Sequence, residues 1–210
     1  MAIVPRIIGF SPGADGTPRD LQSLAEAAAS GGIEALVLRE PQLSERELVT
    51  LARSLTPWLQ GGLILHAKHP AAVSIAQASG WGLHLPSTRA PSLFRDQVSG
   101  LLGISCHSIA DLQAAEKAGC DYATLSPIFA PTSKPGDMRE ALGIDALQDA
   151  VHAVQLPVIA LGGMTPDRAR LCWDCGAHGV ASLGLLFGPH STPEDTGFAA
   201  RALRAAMPVG

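Results

Sequence analysis

The chain has 210 residues, 47% hydrophobic and 16% charged, with a formal net charge of -4 and a mean hydropathy of +0.21. That length and apolar content suit one folded domain over residues 1–210 and exclude intrinsic disorder. The negative balance without a Lys/Arg run argues against nucleic acid, no apolar stretch is long enough for a bilayer, and Met1 to Arg6 do not read as a secretory signal. The four cysteines, Cys106, Cys120, Cys172 and Cys175, are too few for a disulfide framework, which makes a reducing cytoplasm the expected setting.

Ile3 to Phe10 is an apolar β-type run that ends in Ser11-Pro12-Gly13. Leu21, Leu24, Ala25 and Ala28 follow at helical spacing, and Gly31-Gly32 stops that helix. Ile33 to Leu38 reads as a second strand, broken at Arg39-Glu40-Pro41. Ser44 stands three residues before Glu47, a capping-box pattern that predicts a helix to about Leu55. Leu63 to Leu65 is the third strand, running into His66-Ala67-Lys68-His69-Pro70, and a small-residue helix from Ala71 to Ala78 ends at Gly80. Leu83 to Leu85 is the fourth strand, and Pro86-Ser87-Thr88-Arg89 a loop.

Leu101 to Ile104 is the fifth strand, ending at Ser105-Cys106-His107, and Ser108 caps the next helix. Tyr122 to Leu125 is the sixth and opens into the loop Ser126 to Gly136, where Thr132 and Ser133 offer donors and Lys134 a charge. A helix spans about Ile144 to Val154. Val158 to Leu161 is the seventh strand and opens into Gly162-Gly163, with Thr165 and Pro166 starting a helix. Gly179 to Ser182 is the eighth, ending at Leu183-Gly184, and Glu194 to Ala206 closes the chain as an amphipathic helix.

Eight strand–helix alternations predict an α/β fold, a single closed (β/α)8 TIM barrel. An open doubly wound sheet would more often carry a glycine-rich fingerprint after its first strand, which Ser11 to Gly16 does not match. Ligands of such barrels bind where strands end. Arg39, His66 with Lys68, His84, Ser105 with His107, and Ser126 to Lys134 all fall there. Gly162-Gly163 and Leu183-Gly184 occupy the usual phosphate site after strands seven and eight. The pattern favours a phosphorylated small-molecule ligand. Bland readings stand beside it: Arg39 with Glu40 as a surface ion pair, His84 as a hydrogen-bonded core residue. His152, His178 and His190 read as structural or exposed, and Cys172 with Cys175 as packing on an outer helix rather than a zinc or redox pair.

The stretches LVLREP, GLHLPS, GISCHSIADLQAAEKAGCDYATLSPIFAPTSKPG, PVIALGGMTPDRA and GAHGVASLG resemble the thiamine phosphate synthase superfamily, which includes the TenI-type thiazole tautomerases. The resemblance runs from Leu36 to Gly184 and implies a (β/α)8 barrel acting in thiamine biosynthesis. Synthases of that family join a pyrimidine pyrophosphate to a thiazole phosphate carboxylate, using Mg²⁺ to hold the pyrophosphate; tautomerases move a proton on the thiazole phosphate. Carried over by position, the thiazole phosphate sits against Pro131 to Ser133, Gly162-Gly163 and Leu183-Gly184. Ser105 and Lys134 match pyrimidine and pyrophosphate contacts, and Arg39 matches the strand-two arginine.

The chain departs from the synthase pattern at Val37 and Pro41, which replace a glutamine and a lysine. It departs again at His66-Ala67, in place of a metal-binding Asn-Asp pair, and near Thr88-Arg89, in place of a second aspartate. Those losses remove the oxygen ligands that Mg²⁺ requires. The expectation is therefore a tautomerase-like protein with no metal, binding a phosphorylated thiazole or thiamine phosphate. Tautomerases tend to carry a histidine where Pro127 stands, so the acid/base falls to His66, His84 or His107. Two alternatives are a Mg²⁺-dependent synthase and a non-catalytic binder of thiamine intermediates. The outer helices are apolar enough to support a homodimer.

Overall fold

A computed structural model describes residues 3–13, 20–130 and 140–208. Eight short parallel strands close on themselves in sequence order: β1 (Ile7–Phe10), β2 (Ala35–Leu38), β3 (Leu63–His66), β4 (Gly82–Leu85), β5 (Leu102–Cys106), β6 (Tyr122–Leu125), β7 (Val158–Leu161) and β8 (Gly179–Ser182). β1 pairs with both β2 and β8, which shuts the barrel and leaves no edge strand. The (β/α)8 expectation holds.

The helices are α1 (Leu21–Gly31), α2 (Glu45–Leu55), α3 (Ala72–Ser79), α4 (Ile109–Lys117), α5 (Gly143–His152), α6 (Pro166–Asp174), α7 (Gly184–Phe187) and α8 (Pro193–Ala206). Their ends follow the local chemistry. Ser44 and Glu47 form the capping box of α2, Ser108 caps α4, and Thr165 caps α6 with Pro166 at its first position. Gly32, with φ of 111°, ends α1 in the left-handed region.

Two connections differ from strict alternation. Between β4 and β5 the chain makes two 3-10 turns, Pro91–Leu93 and Arg95–Gln97, in place of an α-helix. Pro86 and Pro91 both restrict the backbone there, and Pro91 begins the first turn. After β8, Leu183-Gly184 does not simply leave the strand but starts the short helix α7.

Strand alternation separates two cores. Ile8, Phe10, Ala35, Val37, Ile64, Tyr122, Ile159 and Ala181 fill the barrel interior. Leu36, Leu38, Leu63, Leu65, Leu83 and Leu125 face outward and join the inner faces of the helices. The interior is filled unevenly around the ring. A Cβ on Gly103 would fall 2.1 Å from Cζ of Tyr122, so β5 leaves there the room that the Tyr122 ring takes. The same inward-facing series of β3, β4, β5 and β6 continues into His66, His84, Ser105 and Thr124, which places polar groups just beneath the carboxyl rim.

Candidate functional site

A cavity of about 530 Å³ opens at the carboxyl ends of the strands, within the ordinary range for small-molecule sites. On one side Arg39, His66, Lys68 and Arg89 line it; Ser105, His107 and Ser126 line the next arc. Opposite stand Gly162 and Gly163 after β7 and Leu183 and Gly184 after β8. Ten residues singled out as site candidates in the sequence thus converge on one space. His84 does not line it but lies buried beneath. Thr132, Ser133 and Lys134 lie outside the described residues.

The β7 and β8 side is built from backbone. Ile128 N–H donates to the Leu161 carbonyl at 2.9 Å and Phe129 N–H to the Gly162 carbonyl at 3.3 Å, so the β6 and β7 loops run together. A Cβ on Gly163 would fall 2.5 Å from the Ala130 carbonyl oxygen, and its φ of 57° is left-handed; only glycine fits. Arg168 locks the turn by donating to the Gly163 carbonyl at 2.6 Å and stacking over Phe129 at 4.9 Å. Among the described residues neither Gly162 nor Gly163 N–H has an acceptor. With the start of α7 beside them, these amides form the kind of rim that accepts phosphate on barrels.

On the opposite side Arg39 donates to the Pro12 carbonyl at 2.5 Å, and Ser11 accepts the Arg39 N–H at 2.7 Å. Glu40 faces away: its carboxylate accepts from Gly13 N–H at 3.1 Å and from the Gln42 amide at 2.7 Å. Arg39 is therefore a cavity residue, and Glu40 a buried brace for the β1 loop.

The two cavity histidines are held in opposite tautomers. Lys68 N–H donates to Nδ1 of His66 at 3.1 Å, so Nδ1 carries the lone pair and Nε2 the proton. Burial, then the charges of Arg39 and Lys68, lower its pKa to about 4, and His66 is a neutral donor at ordinary pH. His107 is reversed. Its Nδ1 lies 2.7 Å from the Ser126 carbonyl, which can only accept, so Nδ1 carries the proton and Nε2 keeps its lone pair. The His107 N–H donates to Asp111, itself tied to the Ser108 cap, which fixes the residue at the start of α4. His84 is fully buried with both nitrogens engaged, Nδ1 with the Tyr122 hydroxyl and Nε2 with Ser105 Oγ, each at 3.0 Å.

Mg²⁺ demands an octahedron of oxygen ligands, usually with one or two carboxylates. The described residues lining the cavity supply hydroxyls, imidazoles and three cationic side chains but no carboxylate. That donor set does not fit the ion. Asp15 and Asp137 lie outside the described residues. Cys172 is buried, its thiol pushed up to about 12, and Cys172 and Cys175 are free and take part in no three-ligand group among the described residues. His69 and His178 are tied to the carbonyls of Leu43 and Val4, and no described helix is long and apolar enough to cross a membrane.

Sequence reasoning passed over Tyr122 and Thr124, taken there only as parts of an apolar strand. The signal was present in the parity: Tyr122, Thr124 and Ser126 share one face of β6, and Tyr122 is the single tyrosine of the chain.

Fold and cavity together define a (β/α)8 barrel with a polar cavity on its carboxyl rim. A model of the thiamine monophosphate synthase family matches residues 10–185. The thiamine-phosphate synthase of Moorella thermoacetica is 31% identical over 193 residues, covering 90% of this chain and 89% of that protein. That of Methanoculleus marisnigri is 33% identical over 195 residues, with 90% and 89% covered. Among solved structures, a thiamine phosphate pyrophosphorylase from Pyrococcus furiosus superposes with a TM-score of 0.78 at 22% identity, covering 96% of this chain and 94% of the other, a likeness of fold. The chain belongs to the thiamine monophosphate synthase family, a family of thiamine biosynthesis.

Proposed function

We propose that this protein binds a thiazole phosphate and isomerises it without a metal ion. The phosphate lies against the amides of Gly162, Gly163 and Gly184 on the cavity rim. The ring lies between His66 and His107. His107 takes a proton from a ring carbon through Nε2 and returns it to a second atom of the same ligand. No electrons leave and the composition is unchanged. Neutral His66 holds the ligand through its Nε2–H, as a fixed donor toward an oxygen that gains charge during the transfer. The observation that carries this reading is the pairing of a lone-pair His107 Nε2 with a cavity wall that holds no described carboxylate.

The relatives favour a second reading. Proteins about 30% identical are named thiamine-phosphate synthases, so a transferase that releases pyrophosphate is the alternative. One assay separates the two. Purified protein is incubated with the thiazole phosphate carboxylate tautomer, alone and then with pyrimidine pyrophosphate and Mg²⁺, and both isomerisation and pyrophosphate release are followed. Isomerisation that survives a chelator, and falls at least roughly a hundredfold in His107→Ala with ligand binding retained, supports the tautomerase. Mg²⁺-dependent pyrophosphate release without isomerisation would replace it with the synthase. Binding with neither reaction would leave a binder.

A further inference from the structure

Beneath the cavity floor, Tyr122, His84 and Ser105 form a chain of hydrogen bonds whose direction can be worked out. Tyr122 and His84 are both fully buried, while Ser105 reaches the cavity. The links are 3.0 Å from the Tyr122 hydroxyl to His84 Nδ1 and 3.0 Å from Nε2 to Ser105 Oγ. Rings pack closely around the imidazole: Phe10 edge-on at 5.2 Å, His66 at 5.5 Å and Tyr122 at 5.6 Å between centroids. Among the described residues, the titratable rings against it are Tyr122 and His66, and His66 is itself held neutral. Burial lowers the His84 pKa well below the ordinary value and raises that of Tyr122, so both stay neutral.

A neutral imidazole has one donor and one acceptor nitrogen, which leaves two directions for the chain. If Nδ1 carried the proton, it would donate to the tyrosine oxygen. The phenolic proton would then have no acceptor among the described residues, in a place with no access to water. An orphaned buried donor costs about 1–3 kcal/mol. In the other direction nothing is orphaned: Tyr122 donates to Nδ1, Nε2–H donates to Ser105 Oγ, and the hydroxyl hydrogen of Ser105 is left to point elsewhere. Its neighbour across the β5–β6 ladder, Thr124, has a buried hydroxyl with no partner and makes no bond to Ser105. The direction left open to the Ser105 hydrogen is the cavity.

We infer that Tyr122 and His84 are positioning residues that polarise the floor, making Ser105 a hydrogen-bond donor that selects a ligand carrying an acceptor, a ring nitrogen or an oxygen, at that point. A ligand presenting a ring N–H there, with no lone pair to offer, meets a donor and binds less tightly. The assignment rests on the reading of this cavity as the ligand site, and it gives His84 a role through Ser105 rather than by contact with the reacting atoms.

Two measurements test it. In the ligand-free full chain labelled with ¹⁵N-histidine, the His84 resonances are expected to report a protonated Nε2 and an unprotonated Nδ1, unchanged through the pH range where an exposed histidine titrates. A protonated Nδ1 would reverse the chain and overturn the inference. The second is a double-mutant cycle with thiamine phosphate as probe. Tyr122→Phe and Ser105→Ala are each expected to weaken binding roughly three- to tenfold, and the double variant no further than the worse single one. Additive losses would make Tyr122 a merely structural residue, and so would an unaffected Tyr122→Phe. Should wild type not bind the probe at all, the cycle is repeated with the thiazole phosphate of the proposed function, whose failure to bind would sink that function, while the tautomer measurement still decides the direction of the chain.

Discussion

His66 shows what one side chain acquires from its surroundings. An imidazole free in solution titrates near 6.5, but burial against Arg39 and Lys68 takes this one to about 4. The depressed value means that the unfolded chain binds a proton first as pH falls. The stabilisation is therefore present above the unfolded value and is lost between about 6.5 and about 4, where native His66 finally protonates. The shift corresponds to about 3 kcal/mol from His66. His84 acts in the same direction. Urea unfolding at about pH 7 and about pH 4.5 checks this, with His66→Gln expected to flatten part of the loss. An equal loss in the variant would place the sensitivity elsewhere. The same field explains why His66 cannot be exchanged with His107, whose partner is a carbonyl and whose free nitrogen can accept a proton.

Among the elements, α1 and α8 pack against each other, and small residues set their spacing. A Cβ added to Gly31 would fall 2.5 Å from Ala200 Cβ and 2.7 Å from the Gly197 carbonyl oxygen. The helices approach closely because all three positions are small. Gly31→Ala is expected to push them apart and destabilise the protein by about 1–3 kcal/mol, read as a lower urea midpoint at unchanged slope. Since no residue of this contact lines the cavity, ligand affinity at temperatures well below unfolding should stay as in wild type. Helix ends at this scale were legible: the Ser44 capping box, the Ser108 and Thr165 caps and the Gly32 stop are written in short patterns and appear where the patterns lie. The β4–β5 crossing was not, because a helix and two 3-10 turns satisfy the same need for a long parallel connection.

For the molecule as a whole, charge is distributed against its own balance. The net charge is -4, yet the described cavity wall holds Arg39, Lys68 and Arg89 with no carboxylate. A low-dielectric cleft lined by one sign concentrates its field on a ligand of the other. Affinity for thiamine phosphate is therefore expected to fall as ionic strength rises toward about 0.15 M, where the Debye length shrinks to about 8 Å. Titrations across a salt series measure it, and a flat series would mean that the three cations do not face the bound anion.

The architecture was readable because it depends on periodicity. Short apolar runs, helical spacing and turn residues recur eight times, and each is a local property of neighbouring residues. The same periodicity brought Arg39, His66, Ser105, His107 and the glycine rims to one face, since every parallel strand of a barrel ends on the same side. What each histidine can do was not readable. It turns on whether a nitrogen meets an amide N–H, a carbonyl or a phenol, and the residues that supply those partners to His84 and His107 stand 19 to 38 positions away in the chain. Sequence alone determined the barrel and the rim. Only tertiary structure, by closing strands from distant segments around one interior, decided which imidazole donates, which accepts and which acts through a neighbour.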